Sequence, residues 1–204
     1  MLRAAFPLLF VIAFPVVAQE GPSFDCTKAE SSAEELVCAD SALARLDRKV
    51  SERFAEALAA AGALDSGAAQ AVDDLRAYQR GWIGGRNECW KADDLRACVE
   101  AAYLTREGEL VARWMLEEPT GTAVWACDGS PANEVVTQFF DTELPSVRFE
   151  RGDNIDTGAL TRTASGARYI GSFGREIWIK GEEATYRDPD PAGASYRCVL
   201  STPD

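Results

Sequence analysis

The chain has 204 residues, with 21 lysines and arginines against 33 aspartates and glutamates, and its formal net charge is −12. Nucleic acids and anionic membrane surfaces are bound through basic patches, so this charge argues against both and favours a cationic partner, although it also serves solubility. With no histidine, the sequence excludes Ser-His-Asp and Cys-His catalytic arrangements and histidine metal sites. We predict no cofactor.

The first residues have the pattern of a secretory signal peptide. Arg3 precedes an almost uninterrupted apolar stretch over residues 4–17, and the small residue Ala18 suits a cleavage site. The stretch is too short for a transmembrane helix. No Leu-x-x-Cys motif follows, because the first cysteine, Cys26, comes after Ser23-Phe24-Asp25. We therefore expect cleavage after Ala18 and a soluble periplasmic protein without a membrane anchor.

Six cysteines in an exported chain predict three disulfides. They are Cys26, Cys38, Cys89, Cys98, Cys127 and Cys198. Their spacing differs from that of paired zinc ligands. The four cysteines of the first half can pair in three ways, and the sequence does not choose among them.

Residues 24–118 have a helical period, which predicts three or four packed helices. Ser31 and Glu34 have the spacing of a capping box, and Gly62 and Gly67 flank a turn. The apolar stripes are interpreted as core. They comprise Leu43, Leu46, Val50, Phe54 and Leu58, then Val72, Leu75, Tyr78 and Trp82, then Leu95, Val99, Tyr103, Leu110 and Trp114.

A Pro-Thr-Gly segment at residues 119–121 predicts the end of the last helix and a linker between two domains, 19–118 and 122–204. Beyond it, short runs rich in β-branched and aromatic residues predict strands. These runs are 123–127, 135–140, 146–150, 168–170, 176–180, 184–187 and 196–200. The predicted fold is therefore α+β, with a disulfide-held helical bundle followed by a small antiparallel β-barrel or sandwich.

Two turns in the second half carry polar groups suited to binding. Ser165 precedes Gly166, and Lys180 precedes Gly181, so one loop offers a hydroxyl and the other an ammonium. Both groups can form charge-assisted hydrogen bonds in an acidic cleft. The alternative is two ordinary hairpin turns.

The motifs at 164–169 (ASGARY) and 178–184 (WIKGEEA) resemble those of the MliC/PliC family of c-type lysozyme inhibitors. The resemblance implies a Cys127–Cys198 disulfide closing a β-barrel. It also implies that Ser165 and Lys180 engage the catalytic carboxylates of lysozyme. The implied lysozyme-binding residues are Ser165, Gly166, Arg168, Tyr169, Lys180 and Gly181. The alternative for Arg168 and Tyr169 is a role within the barrel itself, and Trp178 is interpreted as core.

The first half resembles the N-terminal domain of LprI-type lysozyme inhibitors, through Phe24-Asp25-Cys26, the segment 35–40 (ELVCAD), the segment 79–82 (QRGW) and Cys98. Arg80 and Arg86 are interpreted as surface charges of a helix.

Together these observations predict a non-catalytic inhibitor of c-type lysozyme. Adjacent acidic pairs such as Asp73-Asp74 diverge in regular structure, so they indicate solvated surface rather than a carboxylate catalytic pair. The alternative is an envelope or glycan-binding module without inhibitory activity, with Trp90, Trp114 and Trp125 as candidate sugar platforms. Oligomeric state stays open.

Overall fold

The computed structural model describes residues 20–201, so the predicted signal peptide and its cleavage site lie outside the described residues. In the described part of the chain, four α-helices come first and eight β-strands follow. The helices are α1 (Ser32–Ala39), α2 (Ser41–Gly62), α3 (Ala68–Asn87) and α4 (Leu95–Trp114). The strands are β1 (Gly121–Cys127), β2 (Ser130–Phe140), β3 (Ser146–Arg151), β4 (Asn154–Thr161), β5 (Ala167–Gly171), β6 (Glu176–Lys180), β7 (Glu183–Arg187) and β8 (Ser195–Leu200).

Side chains next to the helix starts define where the helices begin. The predicted capping box is present, since the Ser31 hydroxyl accepts from the Glu34 amide and the Glu34 carboxylate accepts from the Ser31 amide, both at 3.2 Å. Asp40 caps α2 and Asp94 caps α4, each with a side chain that accepts from backbone amides of the first turn. Gly67 begins α3 with a positive φ of 72°, which glycine adopts at little cost.

The helical half contains two local disulfides, Cys26–Cys38 and Cys89–Cys98. This pairing selects one of the three connectivities that the sequence allowed. Each bond closes a short loop, so it fixes a chain segment next to α1 or α4 and lowers the entropy of the unfolded chain.

The apolar stripes of α2 and α4 meet in the core of this half, where Leu43, Val50, Val99 and Tyr103 are buried. One member of the predicted stripes does not take part. Tyr78 on α3 is 70% exposed, because this part of the helix borders a groove instead of packing against a neighbour.

The interpretation of Arg86 as a surface charge is wrong. Its side chain is buried and donates to the Tyr103 hydroxyl at 2.6 Å. The guanidinium carbon lies 5.5 Å from the ring centroids of both Trp82 and Tyr103. Arg80, six residues earlier, is exposed as expected.

The eight strands form a closed antiparallel barrel in which each strand pairs with its neighbours in sequence and β8 pairs with β1. The barrel confirms the predicted fold class, and seven of its strands overlap predicted runs, although β2 begins five residues earlier than predicted. The eighth, β4, was missed because its Asn, Asp and Gly residues disfavour strands. Gly158 allows β4 to pack closely against the Phe149 ring of β3, since a Cβ at position 158 would lie only 2.7 Å from that ring.

The predicted Cys127–Cys198 disulfide is present. The two cysteines are direct partners in the register of β1 and β8, the strands that close the barrel. Both are buried beside Trp125, so the bond forms part of the core. Trp125 is therefore core, which contradicts its suggested role as a sugar platform.

Helix α4 packs against the barrel wall formed by β2, β3 and β4. Gly108 permits this approach, because a Cβ there would lie 2.8 Å from Ser146 Cβ. Val111, Ala112 and Phe140 form a small buried apolar cluster at the contact.

Ion pairs border this contact. Arg45 of α2 binds Glu143, in the loop before β3, at 2.6 Å and 2.9 Å. Lys49 joins Glu143 to the buried Glu107 at 3.1 Å and 3.2 Å. Two cations and one carboxylate of the helices therefore form one network with Glu143 of the barrel half, which links the helices to the barrel.

We expect acid to weaken this contact through Glu143. The hydrogen bond from Arg45, with the charges of Arg45 and Lys49, lowers the Glu143 pKa from 4.5 to about 2. A depressed folded pKa stabilises the protein above pH 4.5, and this contribution is lost as pH falls toward 2. Chemical denaturation at neutral pH and at stepwise lower pH should therefore show a steeper loss of unfolding free energy in the parent than in Glu143→Gln. Equal losses in the two proteins would show that the Glu143 carboxylate does not cause the acid sensitivity.

Candidate functional site

The two predicted binding loops lie at the same end of the barrel. Ser165 belongs to the β4–β5 loop, and Lys180 ends β6 at the β6–β7 turn. Because β5 and β6 are antiparallel, with Ala167 opposite Ile179, the loop before β5 and the last residue of β6 meet at one end of the barrel. The two groups are 15 positions apart in the sequence, and the fold makes them neighbours.

The Ser165 loop is fixed by hydrogen bonds from Thr163 and by close packing of Gly166 against β6. The Thr163 hydroxyl lies 3.0 Å from the carbonyl oxygens of both Ser165 and Gly166. Gly166 has a φ of +71°, and a Cβ there would meet the Ile179 carbonyl oxygen well inside van der Waals contact. The motif glycine is thus required by backbone conformation and by the closeness of β6, while Ser165 itself stays exposed.

Lys180 is exposed at a two-residue turn. Gly181 takes the first central position with a φ of +67°, as in a type II′ hairpin turn. The Lys180 ammonium lies 3.7 Å from the centroid of the Trp178 ring. Within residues 20–201 it forms no ion pair, so its charge is available to a partner.

Trp178 connects the two loops, and its interpretation as core is wrong. It lies half-buried on the outer face of the barrel, two residues before Lys180. Its indole Nε1 donates to the Ser165 carbonyl oxygen at 2.9 Å, while its ring face contacts the Lys180 ammonium. The period of two along a strand could have revealed this, because an outward Lys180 puts Trp178 on the same face.

Arg168 and Tyr169 have different positions. Arg168 faces outward opposite Trp178 and is ion-paired with Glu176, whose carboxylate accepts from its Nε at 3.1 Å. Tyr169 points inward, is 8% exposed and packs against Phe139 with ring centroids 5.6 Å apart. Burial raises the pKa of its phenol. Arg168 therefore borders the loops, whereas Tyr169 supports them from the barrel core.

The resulting surface carries a hydroxyl, an ammonium and an indole on a rigid barrel edge. We name it the Ser–Lys edge, formed by Ser165, Gly166, Trp178, Lys180 and Gly181. Such a set can donate hydrogen bonds to carboxylates at fixed positions. Among residues 20–201 there is no cluster of cysteine, aspartate and glutamate side chains that could hold a metal ion. No helix of this part of the chain is long and apolar enough to cross a bilayer.

Comparison with known proteins assigns both halves to inhibitor families. Residues 26–94 match the family described as lysozyme inhibitor LprI, and residues 125–194 match the membrane-bound lysozyme-inhibitor of c-type lysozyme family, MliC. The chain is 31% identical over 185 residues to proteins named lipoprotein LprI from Mycobacterium bovis and Mycobacterium tuberculosis. The alignments cover 89% of this chain and 85% of each relative. No solved structure matches significantly.

Proposed function

This chain belongs to the LprI family of lysozyme inhibitors, and we propose that it inhibits c-type lysozyme by occluding the active-site cleft with the Ser–Lys edge. The observation that carries the proposal is the geometry of this edge. One indole holds the Ser165 loop and the Lys180 ammonium together, and Lys180 forms no ion pair within the described residues. The family matches to both halves supply the partner class.

Lysozyme hydrolyses glycosides with two carboxyl groups in a cleft, one acting as acid and one staying ionised. The Lys180 ammonium would bind an ionised carboxylate there, and the Ser165 hydroxyl would donate to or accept from the other. Both enzyme groups would then be unavailable to substrate. Inhibition follows from occupation of the cleft and requires no chemical step.

The charge of the chain supports encounter with such a partner. Lysozyme of the c type is basic, and the net charge of −12 would attract it over long range. The attraction accelerates association and is screened by salt. Periplasmic export, through the predicted signal peptide, would place the inhibitor where lysozyme attacks the cell wall.

Lys180→Ala is expected to weaken inhibition by about 2–5 kcal/mol, because it leaves a lysozyme carboxylate buried without its cation. The measurement is the inhibition constant of the mature chain against a c-type lysozyme at near-physiological salt. Ser165→Ala is expected to have a smaller effect, since a neutral donor is lost.

Lys28→Ala is the matched control, because Lys28 is an exposed lysine of the helical half, 81% exposed at its side chain. It should inhibit like the parent. If Lys180→Ala and Lys28→Ala are equally potent, the Ser–Lys edge is not the inhibitory surface. If the parent does not inhibit at all, an envelope module without inhibitory activity becomes the better account.

A further inference from the structure

A second surface, separate from the Ser–Lys edge, has the features of a ligand site. It is a groove of about 520 Å³ between the helices and the barrel, which falls in the size range of small-molecule sites. We name it the helix–barrel groove. It is lined by Asp74, Tyr78 and Glu109 from the helices and by Asn154, Ser172 and Phe173 from the barrel.

Phe173 lies on the barrel side of the groove and is 79% exposed. Its backbone has φ 51° and ψ 39°, a left-handed conformation that costs a residue with a side chain about 1 kcal/mol or more. The apolar ring therefore stands in solvent on a strained backbone. Neither feature stabilises the fold, and together they place an apolar ring at the groove where a ligand could pack against it.

The turn that carries Phe173 is rigidly fixed. Asp156 accepts from the Ser172 amide at 3.0 Å and from the Ser172 hydroxyl at 2.9 Å. On the other side, the Phe173 carbonyl accepts from the Asp190 amide at 2.8 Å. Because the backbone that carries the ring is held in place before any ligand arrives, binding would require little ordering of this loop.

Tyr78 provides a second aromatic ring on the helical side. It follows Asp74 by one turn of α3, so both project from the same helix face into the groove. The groove thus has aromatic side chains from both halves, Tyr78 and Trp114 from the helices and Phe173 from the barrel, with carboxylate, amide and hydroxyl groups beside them. Apolar surface alone would suit a hydrophobic peptide, whereas this mixture suits a ligand with both apolar faces and many hydroxyls.

The charges of the groove favour an uncharged ligand. Its three arginines face groups of the protein: Arg106 pairs with Glu109 at 2.8 Å, Arg113 donates to the Ile155 carbonyl at 2.5 Å, and Arg175 lies 3.6 Å from Asp156, although its buried Nε has no hydrogen-bond partner among the described residues. Asp74 is the third carboxylate, so three cations face three carboxylates. The groove is therefore close to neutral in a strongly acidic chain.

From these observations we infer that the helix–barrel groove binds an uncharged oligosaccharide. The C–H faces of the sugar rings would pack against Phe173 and Tyr78, and the sugar hydroxyl groups would bond to Asp74, Asn154 and Ser172. This activity goes beyond lysozyme inhibition and uses a different surface. It would keep the protein on glycan strands of the kind that lysozyme cleaves.

The test is calorimetric titration of the mature chain with the tetramer of N-acetylglucosamine, in the absence of lysozyme. We expect saturable one-to-one binding, with Phe173→Ala and Tyr78→Ala each raising Kd by about tenfold. Both side chains are exposed, so the variants should fold, and their thermal unfolding should match the parent. Trp90→Ala, which removes an exposed aromatic outside the groove, should bind like the parent.

No saturable binding up to about 10 mM tetramer would overturn the inference. Equal binding by the parent and both groove variants would overturn it as well, and so would saturation by an apolar peptide without binding of the tetramer. Lys180→Ala should keep sugar binding, and Phe173→Ala should keep lysozyme inhibition, so the two functions are tested independently.

Discussion

Replacing Arg86 by alanine is expected to lower the unfolding free energy of the helical half by about 3–5 kcal/mol, which is the usual cost of removing one partner from a buried ion pair. Arg86 is 5% exposed, and its Nη1 lies 3.9 Å from a carboxylate oxygen of the buried Asp47. Without the arginine, this carboxylate stays inside the core with no neutralising cation.

The hydroxyl of Tyr103 connects the two charges. It accepts from Arg86 at 2.6 Å and donates to Asp47 at 2.8 Å, and desolvation by burial raises its pKa. Ser23 also donates to Asp47, through its amide and its hydroxyl, each at 2.6 Å. The network therefore joins α2, α3, α4 and the segment before α1, and its loss should loosen all four.

Denaturant unfolding followed by circular dichroism at 222 nm would measure the effect of Arg86→Ala. Arg80→Ala is the matched control, because it removes an exposed arginine from the same helix and should change stability by less than about 0.5 kcal/mol. Similar losses in the two variants would show that the buried network contributes little.

The contrast between Arg80 and Arg86 shows that sequence patterns do not predict which polar side chains are buried. Both are arginines of α3, a polar helix that contains glycines, and the local periodicity predicts the same exposed environment for both. Arg86 is buried because its partners come from α2 and α4, with Asp47 and Tyr103 lying 39 and 17 positions away in the chain. Only the packing of the helices reveals such partners.

The strands of the barrel could be predicted more readily than the burial of Arg86, because alternating apolar residues and turn residues are signals within a short stretch of sequence. β6 was predicted with its observed bounds, and the Cys127–Cys198 pair followed from the family resemblance. The sequence does not predict β4, because this segment is poor in strand-forming residues. It is a strand because it pairs with β3 and β5. The motifs of the Ser–Lys edge name its candidate residues from the sequence, but the hydrogen bond from Trp178 to the Ser165 carbonyl depends on the register between strands.

Gly166→Ala is expected to reduce lysozyme inhibition by at least about tenfold, because the Ser165 loop must move. A methyl group at this position would overlap the Ile179 carbonyl oxygen, which is backbone and cannot rotate away. Moving the loop would also break the bond from Trp178 to the Ser165 carbonyl. Ser165 and Lys180 would then no longer be presented at a fixed separation.

Gly129→Ala separates this effect from simple backbone strain. Gly129 has a φ of +72°, nearly that of Gly166, but it lies in the β1–β2 turn, where an added Cβ would have nothing within 4 Å. Both variants should lose about 1–2 kcal/mol of stability from the left-handed backbone. Only Gly166→Ala should lose inhibition, measured as the inhibition constant against a c-type lysozyme at a temperature where both variants are folded. Equal inhibition by the two variants would mean that the position of the Ser165 loop does not determine binding.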